Sequence, residues 1–178
     1  MILRLLSIFL VTILLPFAGF TQDQPVSVSN SSLNDIESYE LQITNLESAH
    51  GPMDQRLIEP LNGLIASLIE FGQIDQAAEL QTKQLAIMRA NMGFESLDLL
   101  PVLRGMIQVQ QALGNWEATS DILEHIRFLM TSNYDQRSEE TLLAMENQAQ
   151  WKLAGFYLDA ERNQSNNFLD ARNLYADI

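Results

Sequence analysis

The chain of 178 residues contains no cysteine. That excludes a disulfide framework, a thiolate metal site, a cysteine nucleophile and a lipid-modified cysteine. It also suits an oxidising compartment, where a free thiol is a liability. Basic residues are scarce: lysine occurs only at 83 and 152, and 10 Lys and Arg face 23 Asp and Glu. A net charge of −13 argues against nucleic acid as a partner, because the phosphate backbone is repelled before any base is read. The same charge disfavours an anionic lipid surface. Motifs of catalysis are missing as well, with no GxSxG, P-loop, GxGxxG, HExxH or EF-hand loop. The expectation is therefore a protein without catalytic activity, cofactor or resident metal.

The two histidines do not change that. His50 stands beside a turn, and His125 follows Glu124 directly. Adjacent residues on a helix point in different directions, which is poor geometry for a shared metal or a proton relay, so His125 reads as a surface or partly buried packing residue. Glu139-Glu140 read as charges that favour a helix start.

What is present begins with MILRLLSIFLVTILLPFAGFTQDQ: one charge at Arg4, an apolar run from Leu5, Pro16, small residues, then an abrupt polar shift. This layout predicts a secretory signal peptide over 1–21. Its apolar stretch of about 16 residues is short against the roughly 20 that a span needs, and an uncleaved N-terminal anchor is the alternative. A polar tether is expected over 22–33 and a helical domain over 34–178.

Internal repetition is the strongest signal. A shift of 42 places Gly51 on Gly93, Leu57 on Leu99, Leu61 on Leu103, Gly63 on Gly105, Ile65 on Ile107, Gly72 on Gly114 and Met88 on Met130. Between the glycines the apolar spacing is helical, as in Leu57, Leu61, Leu64, Ile65 and Leu68, with Gln84 the one polar interruption in its stripe. Ser96 and Ser138 suit N-caps, and Gly72 and Gly114 suit left-handed helix ends. The pattern predicts helix pairs over 56–71 with 74–91 and 97–113 with 116–131, and a third pair starting at Ser138. Ile36, Tyr39, Ile43 and Leu46 share a face, so 34–49 reads as a lone second helix that caps the stack. Trp116, Trp151, Met88, Met106, Met130 and Met145 are expected in the core.

Gly72-x-Ile74-x-x-Ala77, Gly114-x-Trp116-x-x-Thr119 and Trp151-x-x-Ala154-Gly155 resemble the signatures of tetratricopeptide (TPR) repeats. The long period is most similar to the kinesin-light-chain-like class. Thr119 and Gln110 depart from that pattern, and the third unit lacks its turn glycine. The resemblance implies an all-α solenoid of about three antiparallel helix pairs plus the N-terminal capping helix. It also implies a non-catalytic adaptor that binds a protein or peptide on a concave face lined by first helices. By alignment of the units, that face offers Asn62, Ala66 and Ile69, then Arg104, Gln108 and Gln111, then Lys152, Phe156 and Asp159. The family's carboxylate-clamp pattern is not reproduced. Export together with the absence of cysteine points to a bacterial envelope, in the periplasm.

Two other readings stand beside the adaptor. Phe168, Ala171, Tyr175 and Ile178 make an apolar stripe on the last helix, which suits a homodimer, a second docking surface for a protein partner, or a cap folded back on the stack. A helical hydrolase or small-ligand carrier would centre on Lys152, Asp159 and Glu161.

Overall fold

The structure is a computed structural model and describes residues 30–158 and 164–177. The expected leader, tether residues 22–29, Asp159, Glu161 and Ile178 lie outside the described residues. Every regular element among the described residues is helical: α1 (Asn30–His50), α2 (Ile58–Glu70), α3 (Ile74–Met92), α4 (Leu100–Ala112), α5 (Trp116–Asn133), α6 (Glu139–Leu158) and α7 (Gln164–Asp177). Short 3-10 turns, Gln55–Leu57 and Leu97–Leu99, lead into α2 and α4. Each helix packs against the one before it and the one after it. Helix α1 begins at Asn30, so the last four residues assigned to the tether are helical. No helix among the described residues is long and apolar enough to cross a membrane.

The helices stop where glycine permits. Gly72 and Gly114 take φ of +74° and +68°, a region that a side chain disfavours. At each, the next residue's N–H reaches back five residues, Gln73 to Leu68 at 2.8 Å and Asn115 to Gln110 at 2.9 Å, which satisfies carbonyls at the helix end. The helices start where a side chain caps the first turn. Asp54 accepts from the Arg56 amide, Ser96 from the Asp98 amide and Ser138 from the Thr141 amide. Those three caps are spaced by 42 residues, so the repeat is written into backbone geometry as well as sequence.

A further pair of asparagines, also 42 apart, ties successive units. The Asn91 amide donates to the Met53 and Ile87 carbonyls, both at 2.8 Å, and the Asn133 amide donates to those of Glu95 and Leu129, both at 2.9 Å. Each asparagine therefore holds its own helix end to the connection that precedes its unit.

Two clusters make the core. Ile43 of α1 joins Leu57, Leu61, Leu64, Ile65 and Leu68 around α2, with Ala77 and Ile87 of α3. Leu85 and Met88 of α3 join Leu99, Leu103 and Met106, then Ile122, Leu129 and Met130 of α5 and Ala144 of α6. Ile36, Tyr39 and Leu46 pack on the first cluster, as the shared face of the first helix predicts. All four methionines expected in the core are buried. Trp116 and Trp151 are half-buried, and they stack on each other with centroids 3.7 Å apart.

Close helix approach explains Gly63 but not its repeat counterpart Gly105. A Cβ on Gly63 would run into the Tyr39 ring of α1, and one on Gly105 would meet the Gln81 amide nitrogen of α3 at 3.5 Å. Tyr39 and Gln81 are again 42 apart, so α1 occupies the place that α3 takes one unit later. The two glycines should respond oppositely. Gly63→Ala displaces the Tyr39 ring and is expected to cost about 1–3 kcal/mol. Gly105→Ala makes only ordinary contact and gains helix propensity of about 0.5–1 kcal/mol. Urea denaturation of both variants checks the difference.

Candidate functional site

A helix presents residues three and four apart on one face. On α2 the exposed stripe is Glu59, Asn62, Ala66 and Ile69, and 42 residues later on α4 it is Pro101, Arg104, Gln108 and Gln111. The same step onto α6 gives Leu143, Glu146, Gln150 and Leu153, of which the first three are exposed and Leu153 is half-buried. These stripes make the candidate surface.

The third set expected from the sequence, Lys152, Phe156 and Asp159, sits 48 residues after the second and misses this register. Lys152 Nζ instead lies 3.8 Å from the Asp170 carboxylate of α7, and the Phe156 ring packs on Phe168 with centroids 5.3 Å apart. Asp159 lies outside the described residues. The shift has a physical source in Trp151. Its ring stacks on Trp116 and its indole N–H donates to Ser120 Oγ at 2.9 Å, so it anchors α6 to α5 at the place Val109 holds in α4. Helix α6 has 20 residues against 13 for α4: its first turn, after the Ser138 cap, takes the place of the 3-10 turn Leu97–Leu99, and its far end runs four residues beyond the place where α4 stops.

Two clefts open at corresponding junctions. One of about 720 Å³ lies between α1 and α2, lined by Tyr39, Gln42, Leu46, Arg56, Glu59 and Asn62 among others. A tighter one of about 180 Å³ lies where α4, α5 and α6 meet, lined by Leu123, Ile126, Met130, Glu140 and Leu143, with Arg104, Ile107 and Asn147. Tyr39 and Leu123, Gln42 and Ile126, Leu46 and Met130, Arg56 and Glu140, and Glu59 and Leu143 are each separated by two repeats. The same architectural place is thus mixed in character at one junction, where Ile58, Pro60 and Met92 also line it, and more apolar at the other.

Asn62 and Arg104 occupy one repeat position but do different things. Asn62 Oδ1 accepts from the amide of Gln84 at 2.6 Å, and that amide also approaches the Ile58 carbonyl at 3.4 Å. Gln84 is buried, so Asn62 satisfies a polar group that the fold has removed from water. One repeat later Ile126 stands in place of Gln84. An isoleucine offers Arg104 nothing to bond, and Arg104 has no hydrogen bond or ion pair among the described residues. Arg56, by contrast, is held by Asp54, whose carboxyl is lowered below its ordinary range by hydrogen bonds from the Arg56 backbone and guanidinium. Beside Arg104, Leu143 is 54% exposed, an apolar side chain at the cleft's edge.

The remaining expected residues fall in three places. Ile69, Gln108 and Gln111 are exposed on the stripe. On α7, Phe168 and Tyr175 are exposed while Ala171 is buried, and Ile178 lies outside the described residues. His125 packs as expected but is buried rather than at the surface or partly buried. No group of three or more His, Asp or Glu side chains among the described residues is placed to share a metal ion. Comparison with protein families and with curated protein sequences finds no match.

These placements separate structural polar residues from available ones. Asn62→Ala strips a buried amide of its best partner and is expected to cost about 1–2 kcal/mol. Arg104→Ala and Gln108→Ala change exposed positions and should stay within about 0.5 kcal/mol of the parent. Chemical denaturation of the three variants measures this directly.

Proposed function

We propose that this chain is an exported, TPR-like interaction module without catalysis of its own, and that it holds an extended segment of a protein partner along the α4 and α6 stripes. The carrying observation is that Arg104 and Leu143 line the cleft between α4, α5 and α6, with Gln108 exposed one turn further along the α4 stripe. Amide side chains on such a stripe donate to and accept from the backbone of an extended peptide. The free guanidinium suits an acidic side chain of that peptide, and the cleft beside Leu143 suits an apolar one. The predicted leader supports a place outside the cytoplasm, in a bacterial envelope.

Photo-crosslinking residues placed at 108 and 143 in the full chain, in its native envelope, test the proposal. A discrete protein adduct is expected from both, and none from positions 76 and 121, which are exposed on the second helices. Arg104→Glu should lower recovery of that partner by about tenfold or more, the loss of one charge-assisted hydrogen bond of about 1.5–3 kcal/mol. Lys152→Glu should leave recovery unchanged. Equal adducts at all four positions, or none, would sink the reading.

A second reading, self-association, rests on α7, where Phe168, Leu169 and Tyr175 are exposed together. It expects a dimer in sedimentation equilibrium that Tyr175→Asp converts to monomer. A parent protein that stays monomeric at high concentration removes it.

A further inference from the structure

Contacts between successive second helices recur at one register with changing chemistry. Between α1 and α3 the pair is Glu47 with Lys83, an ion pair at 2.6 Å. One repeat later, between α3 and α5, the same two positions are Arg89 and His125. Arg89 Nη2 donates to His125 Nδ1 at 2.9 Å, and His125 Nε2 lies 3.2 Å from the Phe94 carbonyl. A guanidinium can only donate and a carbonyl can only accept. The partners therefore fix His125 as the neutral imidazole with its proton on Nε2.

Phe94 belongs to the connection between α3 and α4, which leaves α3 through Gly93 at φ +92°. Its ring stacks on His125 with centroids 4.2 Å apart and an interplanar angle of 19°. The Arg89 guanidinium lies over the same ring, 4.9 Å from its centroid. His125 and Arg89 together clamp the connection, and their mutual hydrogen bond closes the clamp.

Protonation undoes it from both sides. A proton on Nδ1 removes the acceptor that Arg89 uses, and it places two cations where the preceding junction has an ion pair. The Arg89 Nε is buried without a hydrogen-bond partner, so the guanidinium has no second anchor at that atom. The charged group acting on His125 is Arg89 of α3; from the connection it meets the Phe94 carbonyl, and no carboxylate among the described residues acts on it.

We propose that His125 makes the junction between the first and second repeats an acid-sensitive joint, in which protonation releases the Phe94 connection while the helix pairs on either side stay folded. Burial lowers the histidine's pKa, the Phe94 hydrogen bond opposes that, and the Arg89 charge adds to the lowering. The unfolded chain takes up the proton near pH 6.5 and the folded chain only below that. The clamp's stabilisation is thus complete above about pH 6.5 and is lost as pH falls through the window beneath it.

Amide hydrogen exchange of the full chain at pH 7.5 and 5.0, corrected for the intrinsic pH dependence of exchange, reads the joint. His125 ring signals followed by NMR mark its titration. The Gly93 amide, which donates to the Arg89 carbonyl at 3.0 Å, is expected to lose slow exchange in the parent protein as His125 titrates, with its helical circular dichroism unchanged. His125→Gln keeps a donor and an acceptor but carries no charge, so its connection should be insensitive to this pH change. Equal loss of protection in His125→Gln overturns the proposal. So does a parent protein whose His125 is protonated while the Gly93 amide stays protected. Should His125→Gln fail to fold, Arg89→Gln decides: without the second cation, the acid-induced loss of protection should shrink, and an undiminished loss overturns the proposal.

Discussion

The fold depends on apolar burial shared between neighbouring helix pairs. Leu57 and Leu99 are both fully buried, one at the entry to α2 and the other at the entry to α4. Leu99 lies in a cluster fed by α3, α4, α5 and α6, and no two of those helices supply it alone. An amphipathic pair in isolation leaves one such stripe in water, at about 25 cal/mol per Å² of apolar surface. The next pair along the chain covers it. Helix α1 does this for α2 by offering Ile43, Tyr39 and Leu46, without a first helix of its own among the described residues.

That dependence dictates where the sequence has no freedom. Helices must end on schedule for the next stripe to arrive in register, hence left-handed glycines at 72 and 114 and side-chain caps at 54, 96 and 138. They must also approach closely where α1 meets α2, hence Gly63 beneath Tyr39. Asn91 and Asn133 add a polar clasp to each unit without entering the apolar core. Each of these positions is constrained by backbone geometry, so the same residue type, or a chemical equivalent, recurs after 42 residues.

Such constraint is why the helices, their ends and the core were legible in the sequence. Apolar spacing and turn glycines are local and repeat in kind, and the expected helix pairs match α2 to α5 within a few residues. The third unit was harder to read because Trp151, an aromatic on a stripe, imitates a repeat landmark while its actual contacts are Trp116 and Ser120. Taking it as the landmark moved the expected surface six residues, onto the side of α6 that meets α7. The Asn91 and Asn133 match was present in the sequence and is recognisable in hindsight by their common step. Contacts such as Arg89 with His125 left no periodic trace, since their chemistry differs at each junction.

The division between constant and variable positions separates two properties of the molecule. Exchanging Gln84 for Ile126 between units leaves the helix path intact, yet it turns the facing residue from a bonded Asn62 into an unengaged Arg104. It also contributes an apolar wall to the cleft beside α6. Exchanging Glu47 and Lys83 for Arg89 and His125 likewise keeps the helices in place while changing what the contact tolerates. Both changes fall at the margins of the clusters, where side chains meet across a junction and the main-chain hydrogen bonds are already made within each helix. A chain built this way can alter its surface chemistry one junction at a time. The shared apolar core carries the stability, and the polar contacts between units decide what each junction recognises and under which conditions it holds.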